Sequence, residues 1–232
     1  MISEFDQFPV FYFSNHNTMF ADGEEIKLMP DHFEQLDFEL EFAIVIGKGG
    51  RNILSKDADQ YIAGFCILND LSCRRLQMEE MRLNLGPAKG KDFANVLGPY
   101  LVTPDELLTK IIDTPCGNKY DLKMKCFVNG ELLSEGNAKD MNWTFAEIIE
   151  RASYGVDLFP GDVIGSGTVG TGCLLEINGV CFETIFTPST IALLVSGYTF
   201  ITFPSLPLEV PANTTTVSFF FIFNFAIFII SL

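Results

Sequence analysis

Residues 36–47, LDFELEFAIVIG, are the segment that most constrains the fold of this chain. Apolar and acidic side chains alternate and then give way to a continuous apolar run, which predicts a strand that enters a buried core. Side chains alternate between the two faces of a strand, so Glu39 and Glu41 should share one face, with Asp37 at its solvent end. Bare carboxylates about 4 Å apart repel by roughly 4 kcal/mol at an effective dielectric near 20. The pair therefore needs either a solvent-exposed face of the strand or a bound cation.

Asp70 is the natural third member of a cation site. It follows a second predicted buried strand, residues 63–68, at the point where side chains project into a crevice. Three carboxylates without Cys or His partners suit Mg²⁺, Mn²⁺ or Ca²⁺. A helix predicted over residues 71–84 places Arg74 and Gln77 on the face of Asp70. The alternative for Arg74 is a simple ion pair with Asp70.

Two glycine-containing segments have a chemical interpretation. The loop at residues 86–91 does not match the P-loop pattern and instead presents Lys91, with a surface lysine as the alternative. The loop at residues 165–172 leads to a predicted strand, not a helix, so it is not a dinucleotide loop. Its amides and the Thr168 hydroxyl could approach a ligand, or it could be a flexible surface loop. Glu176 then stands among apolar neighbours in the predicted strand 173–177, where a carboxylate is costly without a partner.

The remaining patterns predict many short strands and few helices. Capping-box patterns at Thr103 and Thr144 predict helices to about residues 112 and 153. The pattern of residues 121–135 predicts a hairpin about Asn129-Gly130, and that of residues 9–13 predicts a short strand. We therefore predict a β-dominated α+β domain.

Composition limits the partners and the compartment. The net charge of −15 argues against nucleic acid or an anionic membrane surface as the main partner. The six cysteines form no zinc-type spacing, and the first 20 residues do not resemble a signal peptide. Reduced thiols and a cytoplasmic location are expected.

Charge is absent from most of the C-terminal part of the chain. Residues 184–232 contain one charged side chain, Glu209, and the last 16 residues are rich in Phe and Ile. We divide the chain into a catalytic domain, residues 1–183, and an atypical apolar tail, residues 184–232. The tail could be a membrane anchor, a substitute core strand, or an altered reading frame or unspliced end, and we favour the last. A membrane partner is expected only if the tail is genuine.

Four stretches, in order, resemble the C-terminal catalytic domain of the fumarylacetoacetate hydrolase family. They are LDFELEFAIVIGKGGRNI, IAGFCILNDLSCRRLQ, LGPAKGKDFANVLGPYLVTPDEL and FPGDVIGSGTVGTGCLLEI. The resemblance spans roughly residues 9–180 and implies a β-rich roll of mixed sheets, a homodimer and one Mg²⁺, Mn²⁺ or Ca²⁺.

The resemblance also implies roles for particular residues. The metal ligands would be Glu39, Glu41 and Asp70. The substrate would be bound by Tyr12, Arg74, Gln77, Lys91 and Thr168, and the catalytic residues would be His16, Glu176 and Lys91.

Two departures from the family pattern affect the expected mechanism. Val10 stands where the hydrolase has an acidic metal ligand before its Phe-Tyr pair. His16 is about one residue closer to Tyr12 than the family's catalytic histidine, and His32 lies in a polar loop. The expected enzyme is a metal-dependent hydrolase that cleaves a C–C bond in a 1,3-diketo acid, a small keto acid. The alternatives are an isomerase or decarboxylase of a 2-oxo diacid on the same site, and an inactive product of an altered chain.

Overall fold

The structure is a computed structural model that describes residues 7–33, 35–178, 191–195, 198–202 and 227–230. It is β-dominated, with few short helices, as the sequence predicts. The strands are β1 Phe11–Ser14, β2 Met19–Phe20, β3 Leu36–Asp37, β4 Leu40–Ile46, β5 Gly50–Arg51, β6 Ile62–Asp70, β7 Ser72–Cys73, β8 Asn95–Leu97, β9 Ile111–Thr114, β10 Gly117–Tyr120, β11 Lys123–Val128, β12 Glu131–Asn137, β13 Asp157–Leu158, β14 Val163–Gly165, β15 Ile191–Val195, β16 Tyr198–Thr202 and β17 Ile227–Ile230. The α-helices are α1 Ser55–Ala58, α2 Arg74–Met81, α3 Phe145–Ala152 and α4 Leu174–Asn178.

A seven-stranded mixed sheet, in the order β1-β17-β14-β4-β6-β8-β2, forms the centre of the fold. The antiparallel pair β4 and β6 lies in its middle, with Glu41 opposite Leu68 and Leu40 opposite Asn69. The neighbours of this pair, β14 and β8, are also antiparallel to it. Both central strands are therefore hydrogen-bonded on two sides.

The two faces of this central pair differ in chemistry. On one face the rings of Phe42 and Phe65 stack with centroids 5.1 Å apart, and Tyr120 and Phe145 pack against them. These rings belong to the main hydrophobic core. Strand alternation sends the side chains of Glu41 and Asp70 to the opposite face. The apolar core thus fixes the strands that present the carboxylates.

The predicted hairpin and one predicted capping box are confirmed. Strands β11 and β12 pair antiparallel around Asn129 and Gly130, which both have positive φ, as a tight hairpin turn requires. Helix α3 begins with a complete capping box, in which the Thr144 hydroxyl accepts the Glu147 amide and the Glu147 carboxylate accepts the Thr144 amide.

Three predicted elements differ from the structure: the start of one helix, the type of another and the continuity of one strand. Helix α2 begins at Arg74 because Ser72 and Cys73 pair with β3. The segment Pro104–Lys110 is a 3₁₀ helix, and Thr103 makes no side-chain cap bond there. The predicted strand at residues 36–47 is interrupted between β3 and β4. The amide of Phe38 donates to the Asp37 carboxylate and that of Glu39 to the Asn69 side chain, so neither joins the strand ladder.

The predicted strand at residues 173–177 is wrong, because this segment is helix α4. The amides of Leu174 and Leu175, in the first turn of α4, donate to the carboxylate of Asp37. That acceptor lies 137 residues upstream, so no local pattern announces it.

Most of the predicted tail lies outside the described residues. Its described segments join the body of the fold: β15 pairs with β11, and β17 lies between β1 and β14. The division at residue 183 stays a prediction. In the described part of the chain, no helix is long and apolar enough to cross a membrane. The five described cysteines, Cys66, Cys73, Cys116, Cys126 and Cys173, are free thiols.

Replacing Thr144 with Ala should destabilise the fold, whereas replacing Thr103 with Ala should not. The Thr144 hydroxyl accepts the Glu147 amide and donates to the Cys116 carbonyl, and both bonds would be lost. Loss of an N-cap side chain typically costs about 1 kcal/mol, or roughly 2–4 °C in melting temperature for a chain of this size. Thermal denaturation of both variants measures the difference. Equal melting temperatures would show that the capping box does not contribute.

Candidate metal centre

Three buried carboxylates meet beside the central strand pair. One oxygen each of Glu39, Glu41 and Asp70 lie within 4.8 Å of one another, and the two residues at the strand positions, Glu41 and Asp70, are 0 % exposed. Glu41 lies at the start of β4 and Asp70 at the end of β6. The three carboxylates thus lie together, and the prediction that they bind one cation stays a prediction.

The interruption between β3 and β4 places Glu39. Its amide donates to the Asn69 Oδ1 over 3.0 Å, so the side chain of a β6 residue replaces the next ladder bond. Asn69 and Asp70 are adjacent and face opposite sides of β6. The end of β6 thus holds the backbone of Glu39 through Asn69 and supplies the carboxylate of Asp70.

Two buried cations contact the carboxylates. The Lys91 Nζ lies 2.7 Å from Glu39 Oε2 and 2.8 Å from Asp70 Oδ2. The Arg74 Nη1 lies 2.7 Å from Glu39 Oε1. The Tyr12 hydroxyl donates to Asp70 Oδ2 and lies on the same side of the sheet. Lys91 is therefore a central buried group and not the surface lysine of the alternative interpretation.

Glu80 fixes the loop that carries Lys91. Its carboxylate accepts the backbone amides of Ala88, Lys89 and Gly90 at 2.7–3.1 Å. A side chain at position 90 would meet the backbone of Gln77 at 2.5 Å, so only Gly allows this close approach. Helix α2 thereby positions Lys91 as well as its own Arg74. No sequence pattern indicates this role of Glu80, because three loop amides that converge on one carboxylate leave no periodic signal.

The Gly-rich loop approaches Glu41 from β14. A Cβ on Gly165 would lie 2.4 Å from Glu41 Oε2, so a side chain there would displace the Glu41 carboxylate. Gly167, with a φ of +77°, donates its amide to the same oxygen over 3.1 Å. The glycines at 165 and 167 and the neighbouring Ser166 are buried, which argues against a flexible surface loop. Thr168 follows at the partly exposed edge of this loop.

Burial and neighbouring charges shift the pKa values of the three carboxylates in different directions. Burial alone would raise the pKa of Glu39, but Lys91 and Arg74 outweigh it and lower the pKa to about 2. Burial raises the pKa of Asp70 to about 6, with Lys91 opposing the shift and Glu39 reinforcing it. Burial, reinforced by Asp70 and Glu39, raises the pKa of Glu41 well above its ordinary value.

The donor set fits a divalent cation. Glu41 Oε1 and Asp70 Oδ1 are buried and have no hydrogen-bond partner among the described residues, although buried polar atoms normally have one. The cluster and its immediate neighbours contain four buried carboxylates but only two buried cations, which leaves two negative charges. The carboxylates are Asp37, Glu39, Glu41 and Asp70, and the cations are Arg74 and Lys91. A cation of charge +2 with a preference for oxygen, such as Mg²⁺, Mn²⁺ or Ca²⁺, would balance them.

The sequence model described as "Fumarylacetoacetate (FAA) hydrolase C-terminal" matches residues 3–196. The chain belongs to this family. The curated relative oxaloacetate tautomerase YisK of Bacillus subtilis (strain 168) is 34% identical over 173 residues, which cover 73% of this chain and 54% of that protein. The chain thus spans about half the length of the curated relatives that it matches.

Solved structures of the fumarylacetoacetate hydrolase family share the fold. One is the fumarylacetoacetate hydrolase (EaFAH) from psychrophilic Exiguobacterium antarcticum, with a TM-score of 0.69 and 27% identity over 84% of this chain and 65% of that chain. Another is the fumarylpyruvate hydrolase from Pseudomonas aeruginosa in complex with Mn²⁺ and pyruvate. Its TM-score is 0.62 at 21% identity, over 81% of this chain and 73% of that chain.

Two residues expected to be catalytic in a family hydrolase lie apart from the cluster. His16 is exposed on the short 3₁₀ helix His16–Thr18, and Glu176 is exposed on α4. In the described part of the chain, neither side chain forms a hydrogen bond or ion pair with the three carboxylates. His32 stacks on Phe93 with ring centroids 4.3 Å apart. The roles expected for His16 and Glu176 stay predictions.

The expected position of Asp37 at the solvent end of its strand is wrong. Asp37 is 3 % exposed, and its Oδ2 accepts a hydrogen bond from the Arg74 Nε over 2.8 Å. Arg74 pairs with Asp37 and Glu39, not with Asp70, and its Nη1 also donates to the Gln77 Oε1. Asp37 is buried because α4 and α2 cover the end of the strand, an arrangement that strand alternation alone cannot predict.

Asp70→Asn should remove most of the stabilisation that Mg²⁺ or Mn²⁺ gives. An amide offers one neutral oxygen in place of a carboxylate, so the site loses a charged ligand. A cation at a hundredfold excess over its dissociation constant should stabilise the unsubstituted protein by about 2.7 kcal/mol. Thermal melts with and without the cation measure this shift. Asp157→Asn, at an exposed Asp paired with Arg51, is the control and should keep the full shift. An unchanged shift in Asp70→Asn would show that Asp70 is not a ligand.

Proposed function

We propose that the chain is a metal-dependent enzyme that interconverts the keto and enol forms of a 2-oxo diacid such as oxaloacetate. The observation that carries the proposal is the buried cluster of Glu39, Glu41 and Asp70 with the Lys91 ammonium held against two of its members. The similarity to an oxaloacetate tautomerase over 73% of the chain supports this choice of reaction.

Keto–enol interconversion transfers a proton from C3 to a base and a proton to the oxygen on C2, and negative charge develops on that oxygen between the two transfers. A divalent cation on the three carboxylates would supply the electrophile that holds the substrate's oxygens and stabilises this charge. Lys91 is the chain's own group for the same task. Burial alone would lower the pKa of Lys91, but Asp70 and Glu39 raise it, so the side chain stays charged and can donate a hydrogen bond.

The remaining substrate contacts follow from the edges of the site. Gln77 on α2 and Thr168 on the Gly-rich loop are partly exposed and offer an amide and a hydroxyl for a second carboxylate. Tyr12 contacts Asp70 from β1. Arg74 contributes positive charge, although its guanidinium is already engaged by Asp37, Glu39 and Gln77. We therefore expect a small dicarboxylate as substrate.

Hydrolysis of a C–C bond in a 1,3-diketo acid is the second candidate. The similarity to a fumarylacetoacetate hydrolase at 27% identity favours it, and the same enolate stabilisation would serve the departing fragment. Hydrolysis also needs a base that activates a water for attack on the carbonyl carbon. His16 is the residue expected to serve, and it is exposed. The tautomerase is preferred because its reaction requires no nucleophilic water.

Decarboxylation of a 2-oxo diacid would use the same enolate site. The homodimer and the cytoplasmic location stay predictions.

Lys91→Met should lower kcat for oxaloacetate tautomerisation by roughly 10²–10³-fold, the usual effect of losing one donor to a developing oxyanion. Lys89→Met, at an exposed lysine two residues away that pairs with Asp92, should change kcat less than twofold. Tautomerisation is followed by the loss of enol absorbance, before and after EDTA treatment and with Mg²⁺ or Mn²⁺ restored. Turnover that survives EDTA at full rate would contradict a metal-dependent mechanism.

His16→Ala separates the two candidate reactions. If His16 positions a hydrolytic water, the variant should lose cleavage of acylpyruvates while oxaloacetate tautomerisation stays within about threefold of the unsubstituted rate. Both activities are measured on the same preparations, with His32→Ala as the matched control. A parallel loss of both activities in His16→Ala alone would show that the tautomerase also depends on this histidine, contrary to our expectation.

A further inference from the structure

Asp37 is a buried carboxylate with an unusual number of partners. Its oxygens accept hydrogen bonds from the Arg74 Nε and from the backbone amides of Phe38, Leu174 and Leu175, at 2.8–3.2 Å. The Arg74 Nη2 also lies 2.8 Å from Asp37 Oδ2, within ion-pair distance. These groups come from three separate parts of the chain: the strand of Asp37 itself, α2 and the start of α4.

One path leads from Asp37 to Glu39. Arg74 donates to Asp37 Oδ2 through Nε and forms an ion pair with the same oxygen through Nη2, and its Nη1 lies 2.7 Å from Glu39 Oε1. The guanidinium is planar and rigid, so fixing one edge fixes the direction of the other. The Arg74 side chain is 4% exposed, which leaves it little room to reorient. The position of Glu39 Oε1 is therefore set by Asp37 through Arg74.

A second path leads from Asp37 to Glu41. The amides of Leu174 and Leu175 tie the first turn of α4 to Asp37, directly after the Gly-rich loop. The Gly172 carbonyl of that loop accepts the Leu40 amide, and the Gly167 amide donates to Glu41 Oε2. Asp37 thus anchors one end of the loop that contacts Glu41.

We infer that Asp37 is a positioning residue that orients both Glu39 and Glu41 for a divalent cation. It touches neither the cation nor the substrate; it acts through Arg74 and through the Gly-rich loop. The inference rests on the metal centre of the proposed function but not on which reaction the centre catalyses. It also gives Arg74 a structural task in place of the substrate contact that the family resemblance implies.

Asp37→Asn is the sharpest change at this position. An amide has one acceptor oxygen, and its NH₂ group would face donors that now meet a carboxylate oxygen. Among the described residues, Glu39 would then be the one carboxylate still paired with Arg74. Outer-sphere partners of this kind typically contribute 10–100-fold to metal affinity. We expect Asp37→Asn to weaken Mn²⁺ binding at least tenfold.

The experiment titrates Mn²⁺ into folded protein and follows free Mn²⁺ by electron paramagnetic resonance, which requires no substrate or turnover. Asp162→Asn is the matched control. Asp162 is also 3% exposed, and its carboxylate accepts the Phe159 amide over 2.8 Å. Its carbonyl accepts the Ile46 amide, five residues along β4 from Glu41 and so about 16 Å away at roughly 3.3 Å per residue. Asp162→Asn should lower the melting temperature and leave Mn²⁺ affinity within twofold.

Mn²⁺ affinity within twofold of the unsubstituted protein in Asp37→Asn, or an equal loss in both variants, would overturn the inference. If Asp37→Asn does not fold, Arg74→Lys applies the test to the first path, because lysine keeps the charge but loses the rigid fork. It should also bind Mn²⁺ at least tenfold more weakly, and unchanged affinity would overturn the inference. An unsubstituted protein that binds Mn²⁺ but shows no tautomerisation would refute the proposed reaction alone.

Discussion

One side of the central strand pair buries more negative than positive charge, and most contacts of the site compensate this imbalance. Glu39, Glu41 and Asp70 cannot all be ionised in a dry site unless cations or hydrogen-bond donors face them. Lys91, Arg74, Tyr12 and the Gly167 amide are the groups that do so, and each comes from a different segment. The loops that carry these groups are in turn fixed by further contacts, such as those of Glu80. The chain's irregular segments are thus ordered around charge, while its strands are ordered around the apolar core.

Strand alternation links these two kinds of order. Phe42 and Phe65 bury their rings on one face of β4 and β6, and the carboxylates of Glu41 and Asp70 occupy the other. Because the two strands are hydrogen-bonded on both sides, neither can slip by one residue without exchanging the two faces. The register that buries the aromatic rings is therefore the register that brings the carboxylates together. A core substitution that shifts this register would change the site as well as the stability.

The sequence predicts those parts of the fold and site that follow from local periodicity. Alternation in residues 36–47 and the position of Asp70 after a buried strand predict the three-carboxylate cluster, and Asn129-Gly130 and the Thr144 capping box predict their turn and helix. What escapes prediction depends on distant partners. Helix α4 forms where the pattern favours a strand, because Asp37 accepts the first-turn amides from 137 residues away. Thr103 has the same local capping signal as Thr144, yet it makes no side-chain cap bond, and a 3₁₀ helix follows.

In the proposed function one side chain, Lys91, both neutralises the carboxylates and contacts the substrate, and its position suits both tasks. An ammonium group has three N–H donors, and in the described structure two of its partners are Glu39 and Asp70. Positive charge added to the carboxylates would weaken both ion pairs without removing their geometry, since Glu80 and Gly90 hold the loop independently of them. In the proposed mechanism the third N–H would donate to a substrate oxygen. Because the ammonium is already desolvated and fixed, little reorganisation is needed when charge develops on that oxygen, and this preorganisation makes a buried lysine more effective than an exposed one.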